Sequence, residues 1–279
     1  MNSIALTGRG LGEGYPCFVI AEAGVNHDGE PTLAHQLVDL AADAGADAVK
    51  FQIFDPVALV SLGAATAPYQ ARNAGESSQR ALLDALTLPR EEWKELARHA
   101  RERDLVFLST AFDLASLDVV LALDVPALKV PSGELTNLPF LRALAGQGLP
   151  LLVSTGMGSL DEVAAAVDAV EAAPGIALFH CVSAYPAPPA EANLRAIATM
   201  LARFGVPTGW SDHTVGALTA LGAVALGAAM LEKHITTDPG RSGPDHAASA
   251  SPEAFEAYVE QVRAPVSYTH LTLPTKRIV

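Results

Sequence analysis

The chain has little cysteine, few aromatic residues and too little positive charge to balance its negative charge. Two cysteines in 279 residues, Cys17 and Cys181, exclude a disulfide framework as the source of stability. Only 18 Lys and Arg stand against 31 Asp and Glu, a formal charge of −13. A surface of that sign repels nucleic acid and anionic membrane, so neither is expected as a partner. A cleft inside an acidic protein can still gather cations around an anionic substrate. The opening MNSIALTGRG lacks the apolar core of a secretory leader, and a cytoplasmic protein is expected.

Long apolar runs are also scarce. The one exception, from Thr214 to Leu231, carries no charge and is barely long enough to span a bilayer. Gly216, Gly222 and Gly227 interrupt it, and Leu226-Gly227 reads as a helix stop before a new strand. A core helix followed by a buried strand is predicted there. Alanine supplies much of the 50% hydrophobic content, aromatics only 6%, as in a helix-rich soluble protein.

What is present is a steady alternation. Short apolar runs begin at Cys17, Asp47, Leu105, Ala127, Leu149, Ile176, Val206 and Met230, and each reads as a strand. Helical patterns lie between them: TLAHQLVDLAADAG ends on Gly45, PREEWKELARHARERD opens with Pro89, and Ser159 with Glu162 forms a capping box. The last helix is SPEAFEAYVEQVR, stopping at Arg263. Strands alternating with helices through short connections imply parallel pairing, and eight such units at this length predict an α/β fold, a (β/α)8 TIM barrel. Residues 55–88 exceed an ordinary connection, as functional loops do. The glycine-rich LTGRGLGEGYP precedes the first strand and lacks dinucleotide-binding spacing, so it reads as a turn into the barrel. The final APVSYTHLTLPTKRIV is β-rich and basic, unlike what precedes it. A domain of residues 1–264 with a foreign tail, 265–279, is the expectation, a short genuine extension the alternative.

In such a barrel, chemistry gathers at the C-terminal ends of the strands. Alternation puts Phe18, Ile20 and Glu22 on one face, likewise Ala48 and Lys50, Ala127 and Lys129, Leu152 and Ser154, Ser211 and His213, Glu232 and His234. Nearly every strand therefore sends a polar group to one mouth. His213 and His234 end adjacent strands, where they either share a divalent metal with open positions or are satisfied core histidines; His180, His246, Asp245 and Glu232 compete as ligands. Lysines 50 and 129 within apolar strands call for anionic partners. An internal salt bridge to Glu22 or Glu134, a clamp on phosphate or carboxylate, and a Schiff base are the three readings. Thr110, Ser132, Ser154 and Ser211 add hydroxyl donors near the same place.

FVIAEAGVNHDG, DAVKFQ, YQARNAGESSQ, FLSTAFD, KVPSGELTNLPFL, STGM, YPAPPAEANLRAI, GWSDHTVG, EKHIT and SGPDHAAS occur in that order. From about Cys17 to Arg263 the chain resembles the N-acetylneuraminate (sialic acid) synthase family, which includes legionaminic and pseudaminic acid synthases. The resemblance implies condensation of phosphoenolpyruvate with an N-acylated amino sugar, N-acetylmannosamine or the 2,4-diacetamido-trideoxymannose type, giving a nonulosonic acid and phosphate. It implies a divalent metal, Mn2+ first with Mg2+ or Co2+ as alternatives, on His213 and His234. It places phosphoenolpyruvate against Lys50, Thr110, Lys129, Ser132, Ser154 and Ser211, and the amino sugar against Asn73, Glu134, Tyr185 and Asp245. Glu22 is implied as an acid–base group, and the lysines act as charges without a Schiff base. YQARNAGESSQ argues against the pseudaminic branch. Ala111 stands where many members carry proline, and CVSAYP differs from the CNTEYP of some sialic acid synthases. Members commonly form homodimers in which a C-terminal antifreeze-like (SAF) domain caps the partner's barrel and supplies an arginine, and this chain is expected to lack that domain. A barrel that binds phosphoenolpyruvate and metal without turnover is therefore the alternative expectation. A related barrel using a phosphorylated sugar is a third.

Overall fold

The computed structural model describes residues 3–61, 63–66, 70, 71, 75 and 78–269, with side chains described as far as residue 264. Strands β1 (Ser3–Leu6) and β2 (Arg9–Gly12) form an antiparallel hairpin. Then come β3 (Phe18–Gly24), β4 (Ala48–Ile53), β5 (Val106–Ala111), β6 (Leu128–Val130), β7 (Leu151–Ser154), β8 (Ile176–Cys181), β9 (Thr208–Asp212) and β10 (Met230–His234). These eight are parallel neighbours in chain order, and β10 pairs back onto β3, so the sheet closes as the expected TIM barrel.

The side-chain period of a strand sorts the core into two layers. Val19, Ala21, Val49, Phe51, Val130 and Trp210 point outward and pack on the helices. Phe18, Ile20, Ala48, Leu108, Ala127, Leu152 and Phe179 fill the interior. Helix α1 (Pro31–Asp43) shows the matching pattern: Leu33, Ala34, Leu37, Val38 and Ala41 recur at helical spacing and are buried. Helices α2 (Pro56–Leu59), α3 (Gln79–Ala85), α4 (Glu92–Glu102), α5 (Leu114–Leu121), α6 (Leu138–Ala145), α7 (Leu160–Ala169), α8 (Arg195–Phe204), α9 (Leu218–Ala225) and α10 (Pro252–Thr269) complete the ring. Ser159 and Glu162 make the anticipated capping box on α7. The uncharged run from Thr214 divides into α9 and β10, and no described helix is long and apolar enough to cross a membrane.

Three readings of the sequence need correction. The N-terminal segment is a hairpin plug, not a turn: Leu6 and Leu11 are fully buried against the interior floor of the barrel. Each such burial contributes about 1.5–3 kcal/mol. Thr7 and Gly8 both have positive φ, the primed turn that matches strand twist, but Thr-Gly is a weaker hairpin signal than Asn-Gly. Helix α4 starts at Glu92 rather than Pro89, because Pro89 opens a turn whose carbonyl accepts from Glu92 N. The last helix does not stop at Arg263 but runs to Thr269; residues 270–279 lie outside the described ones.

Candidate active site

A cavity of about 410 Å³ opens at the C-terminal mouth of the barrel. Its floor is the ring of inward side chains at the strand ends, and one side is α3, whose Leu82 packs with Leu86, Val25 and Phe54. The long 55–88 connection thus contributes a wall to the site. Gly24, with φ 55, sits at a register irregularity between β3 and β4. A Cβ there would lie 3.3 Å from Glu22 Oε1 and 3.6 Å from the His234 ring, so glycine keeps this part of the mouth clear.

Four opposite charges meet inside the barrel. Lys50 Nζ lies 2.7 Å from Glu22 Oε2 and 3.7 Å from Glu232 Oε2, while Lys129 Nζ is 3.5 Å from Glu232 Oε1. Lys50 also donates to Thr110 Oγ1 at 3.2 Å, and Lys129 donates to Ser154 Oγ at 2.6 Å. All four charged groups are almost wholly buried, where unpaired charge is prohibitive. Burial opposes ionisation of Glu232, yet Lys129 and Lys50 pull its carboxyl down to about 2. Burial likewise works against the Lys50 ammonium, but Glu22 and Glu232 hold it above its ordinary value. Burial raises Glu22 and lowers Lys129. Opposite charges thus hold Glu232 and Lys50 in their ionised forms, while burial works against the charge on Glu22 and on Lys129.

The two histidines face each other over this cluster, ring centroids 5.6 Å apart, with Tyr185 against both at 4.2 and 5.7 Å. His213 Nδ1 donates to Val182 O at 2.6 Å, which fixes the tautomer and leaves Nε2 with a lone pair, 3.3 Å from Ser211 Oγ. His234 Nδ1 is buried without a hydrogen-bond partner. Burial pushes His213 down to about 4, with the His234 ring adding to the shift, and His234 down to about 3, with Lys50 adding to it, so both rings are neutral. Two neutral imidazoles, one with an unspent buried nitrogen and one braced by a carbonyl, suit a divalent ion. Among the described residues no group of three His, Cys, Asp or Glu has ligating geometry, so further positions would fall to substrate or water.

A family model described as the NeuB family matches residues 37–269. The chain belongs to the NeuB family. It is 45% identical to the N,N'-diacetyllegionaminic acid synthase of Legionella pneumophila, covering 90% of this chain and 73% of that protein. It is 34% identical to the human N-acetylneuraminate-9-phosphate synthase, covering 97% and 76%. The crystal structure of the N-acetylneuraminic acid (sialic acid) synthetase from Leptospira borgpetersenii, in complex with citrate, superposes with a TM-score of 0.87 at 31% identity, covering 99% and 93%. The chain is an enzyme of this family, whose members generally use a divalent metal.

Most residues singled out from the sequence of this NeuB-family chain lie on the cavity wall. Glu22, Lys50, Thr110, Lys129, Ser132 and Ser154 come from β3 to β7 and their following turns. Tyr185, Ser211, His213, His234 and Asp245 come from the closing third of the barrel. Glu134 is not on that wall: it sits half-buried on a 3-10 turn, Ser132–Glu134, and accepts from Asn137 Nδ2 at 2.7 Å. Nor is it the partner of either lysine, a role taken by Glu22 and Glu232. Asn73 lies outside the described residues. His180 bonds to Ala192 O and packs at a tilt against Trp210, and His246 is held by Asp28, so neither competes for a metal. Glu232, considered from sequence only as a rival metal ligand, is the hub of the charge cluster and accepts from Ser211 Oγ at 3.0 Å. Gln52, a polar strand-end residue to which the sequence assigned no role, donates to Glu22 Oε1 at 2.9 Å. The signal for both was present, since each lies two residues from a residue already assigned to the inner face.

Proposed function

We propose that this NeuB-family synthase condenses phosphoenolpyruvate with the open-chain form of an N-acylated amino sugar to give a nonulosonic acid and phosphate. The supporting observation is that one cavity is lined by both a neutral imidazole pair and buried lysines ringed by hydroxyls. An anion entering this cavity finds Lys50 and Lys129 with Thr110, Ser132, Ser154 and Ser211 as donors, charges that are strong because water is excluded. Its negative charge takes over part of the role of Glu22, whose raised proton affinity lets it accept a proton instead.

His213 and His234 would hold the divalent ion, which supplies Lewis-acid polarisation of the sugar's aldehyde oxygen. Tyr185 and Asp245 line the opening and orient the sugar. The enol π pair of phosphoenolpyruvate forms the new C–C bond to the aldehyde carbon as the C=O π pair moves onto oxygen, which becomes a hydroxyl by taking the proton that the adding water gives up. The carbon bearing the phosphate is left cationic and takes up water, whose proton passes to a carboxylate, with Glu22 the best placed. Breaking the C–O bond of that tetrahedral adduct releases phosphate.

The 2,4-diacetamido-trideoxymannose type is the better supported sugar, because identity to the legionaminic acid synthase is 45% against 34% for the N-acetylneuraminate-9-phosphate synthase. The deciding experiment offers this sugar, N-acetylmannosamine and its 6-phosphate with phosphoenolpyruvate and Mn2+, and identifies products by mass. The diacetamido product with stoichiometric phosphate is expected. Product from another sugar alone would correct the specificity; metal-dependent phosphoenolpyruvate binding with no product from any sugar would support the binding-only barrel.

A further inference from the structure

The turn after β3 and the loop after β10 are clamped together by charge, at a point the proposed chemistry does not touch. Asp28 Oδ1 accepts from His246 Nε2 at 2.8 Å, and Asp28 Oδ2 accepts from Arg241 Nε at 2.9 Å. Arg241 Nη2 also lies 2.8 Å from the same oxygen. His246 is wholly buried and its Nδ1 meets Thr236 Oγ1 at 2.7 Å, so both ring nitrogens are committed. Gly243 is required beneath the clamp: a Cβ there would stand 2.5 Å from the His246 ring and 3.2 Å from Asp28 Oδ1.

A second set of bonds closes the loop from its other side. Asn26 Nδ2 donates to Ile235 O and to Ser249 Oγ, each at 2.8 Å, and Ser249 Oγ donates to Asp245 O at 2.7 Å. Between these two sets stands Asp245, on the cavity wall and adjacent in sequence to the clamped histidine. The loop carries only a short 3-10 turn, His246–Ala248, and its own bonds to Asp245, from Ala248 N and Ser249 Oγ, reach the backbone carbonyl and not the side chain. The restraint comes from Asn26 and Asp28, on the first strand's loop.

We propose that Asp28 is a positioning residue: through His246 it sets the place of Asp245 at the mouth, and so governs affinity for the amino sugar but not for phosphoenolpyruvate. This rests on the reading of Asp245 as a sugar contact. Of the groups that would face the anion, Lys50, Thr110, Lys129 and Ser154 hang from β4 to β7, elements the clamp does not join, whereas Asp245 hangs from the clamp itself. A small displacement of one polar contact suffices to change ligand affinity or rate severely.

The test compares Asp28→Asn, His246→Gln and His246→Leu by calorimetry, titrating 2,4-diacetamido-trideoxymannose and phosphoenolpyruvate separately with Mn2+ present. Asp28 has φ 52, and Asn tolerates that left-handed backbone, so Asp28→Asn removes charge without forcing the turn. Sugar affinity is expected to fall about tenfold, the worth of a charge-assisted hydrogen bond, and phosphoenolpyruvate affinity to stay within about twofold. His246→Gln, whose amide can still donate to Asp28, should retain most sugar affinity, and His246→Leu should not. Equal loss for both ligands, or no loss for either, overturns the inference. If Asp28→Asn does not fold, the Gln-against-Leu difference decides alone. Asp245→Asn separates the two levels: no change in sugar affinity there removes the reading of Asp245 and the inference with it. Weakened sugar in Asp245→Asn with normal sugar in Asp28→Asn removes the inference only.

Discussion

Lys233 and Asp212 are register partners on β10 and β9, with Nζ and Oδ2 3.4 Å apart on the outside of the barrel wall, one residue before the histidines that face each other inside it. Lys233 also donates to Thr214 O and lies over the Tyr258 ring, while Asp212 Oδ1 accepts from Thr214 N and from the Thr214 and Thr219 hydroxyls. The two strand ends are welded from behind. Removing one partner leaves a buried charge uncompensated, so Lys233→Met should cost about 3–5 kcal/mol in denaturant unfolding. The double variant Asp212→Asn, Lys233→Met should recover part of that loss. A double variant no more stable than Lys233→Met would show that the pair does not act as a unit.

His213→Ala and His234→Ala test the metal reading directly. Both variants should fold, and Mn2+ affinity, followed by electron paramagnetic resonance of the free ion, should drop by more than about 100-fold in each. Unchanged affinity in both would remove the imidazole pair as the seat of the metal.

Lys129→Ala separates the substrates from the other side. Lys129 reaches Ser154 and Glu232 at the cavity floor, away from Tyr185 and Asp245. Phosphoenolpyruvate KM should rise about 10- to 100-fold, as for a lost buried charge-assisted contact, with a much smaller change for the sugar. Equal effects on the two substrates would contradict an anion clamp.

Asp245 provides a pH signature. Burial, and then the charge of Glu22, raise its carboxyl from 3.8 to about 6. A raised carboxyl binds its proton more tightly in the folded than in the unfolded chain. Its favourable contribution to stability is therefore full below about pH 4 and disappears as pH rises through about 6. Asp245→Asn should abolish that part of the decline and be the more stable protein at pH 7. In binding, the carboxylate that accepts from a sugar hydroxyl or amide forms above pH 6, so sugar affinity should climb between pH 5 and pH 7 in the parent chain only. A parent-to-variant difference constant from pH 4 to pH 7 would exclude this assignment.

Much of the architecture was legible because a closed parallel barrel repeats one simple unit. Period-two alternation sorted Lys50, Lys129, Ser154 and His234 inward, as observed, and their neighbours Val49, Phe51 and Val130 form the outer layer. The hairpin was illegible because Thr-Gly is a weak turn signal and its value lies in plugging a floor that exists only once the barrel closes. Glu232 was undervalued for a related reason: its partners Lys129 and Ser211 are distant in sequence and meet it only across the barrel interior.

Local order was written in the chain from the start, since strand alternation and helix caps depend on neighbours a few residues away. That is enough to specify a barrel and to point Glu22, Lys50, Lys129, His213 and His234 toward one mouth. Pairing was not written there. Which carboxylate neutralises which lysine, that Glu134 stays off the wall, and that Asp28 grips His246 from 218 residues away follow from closure of β10 onto β3. Closure removes water from the interior, and each buried charge must then take its nearest opposite as partner.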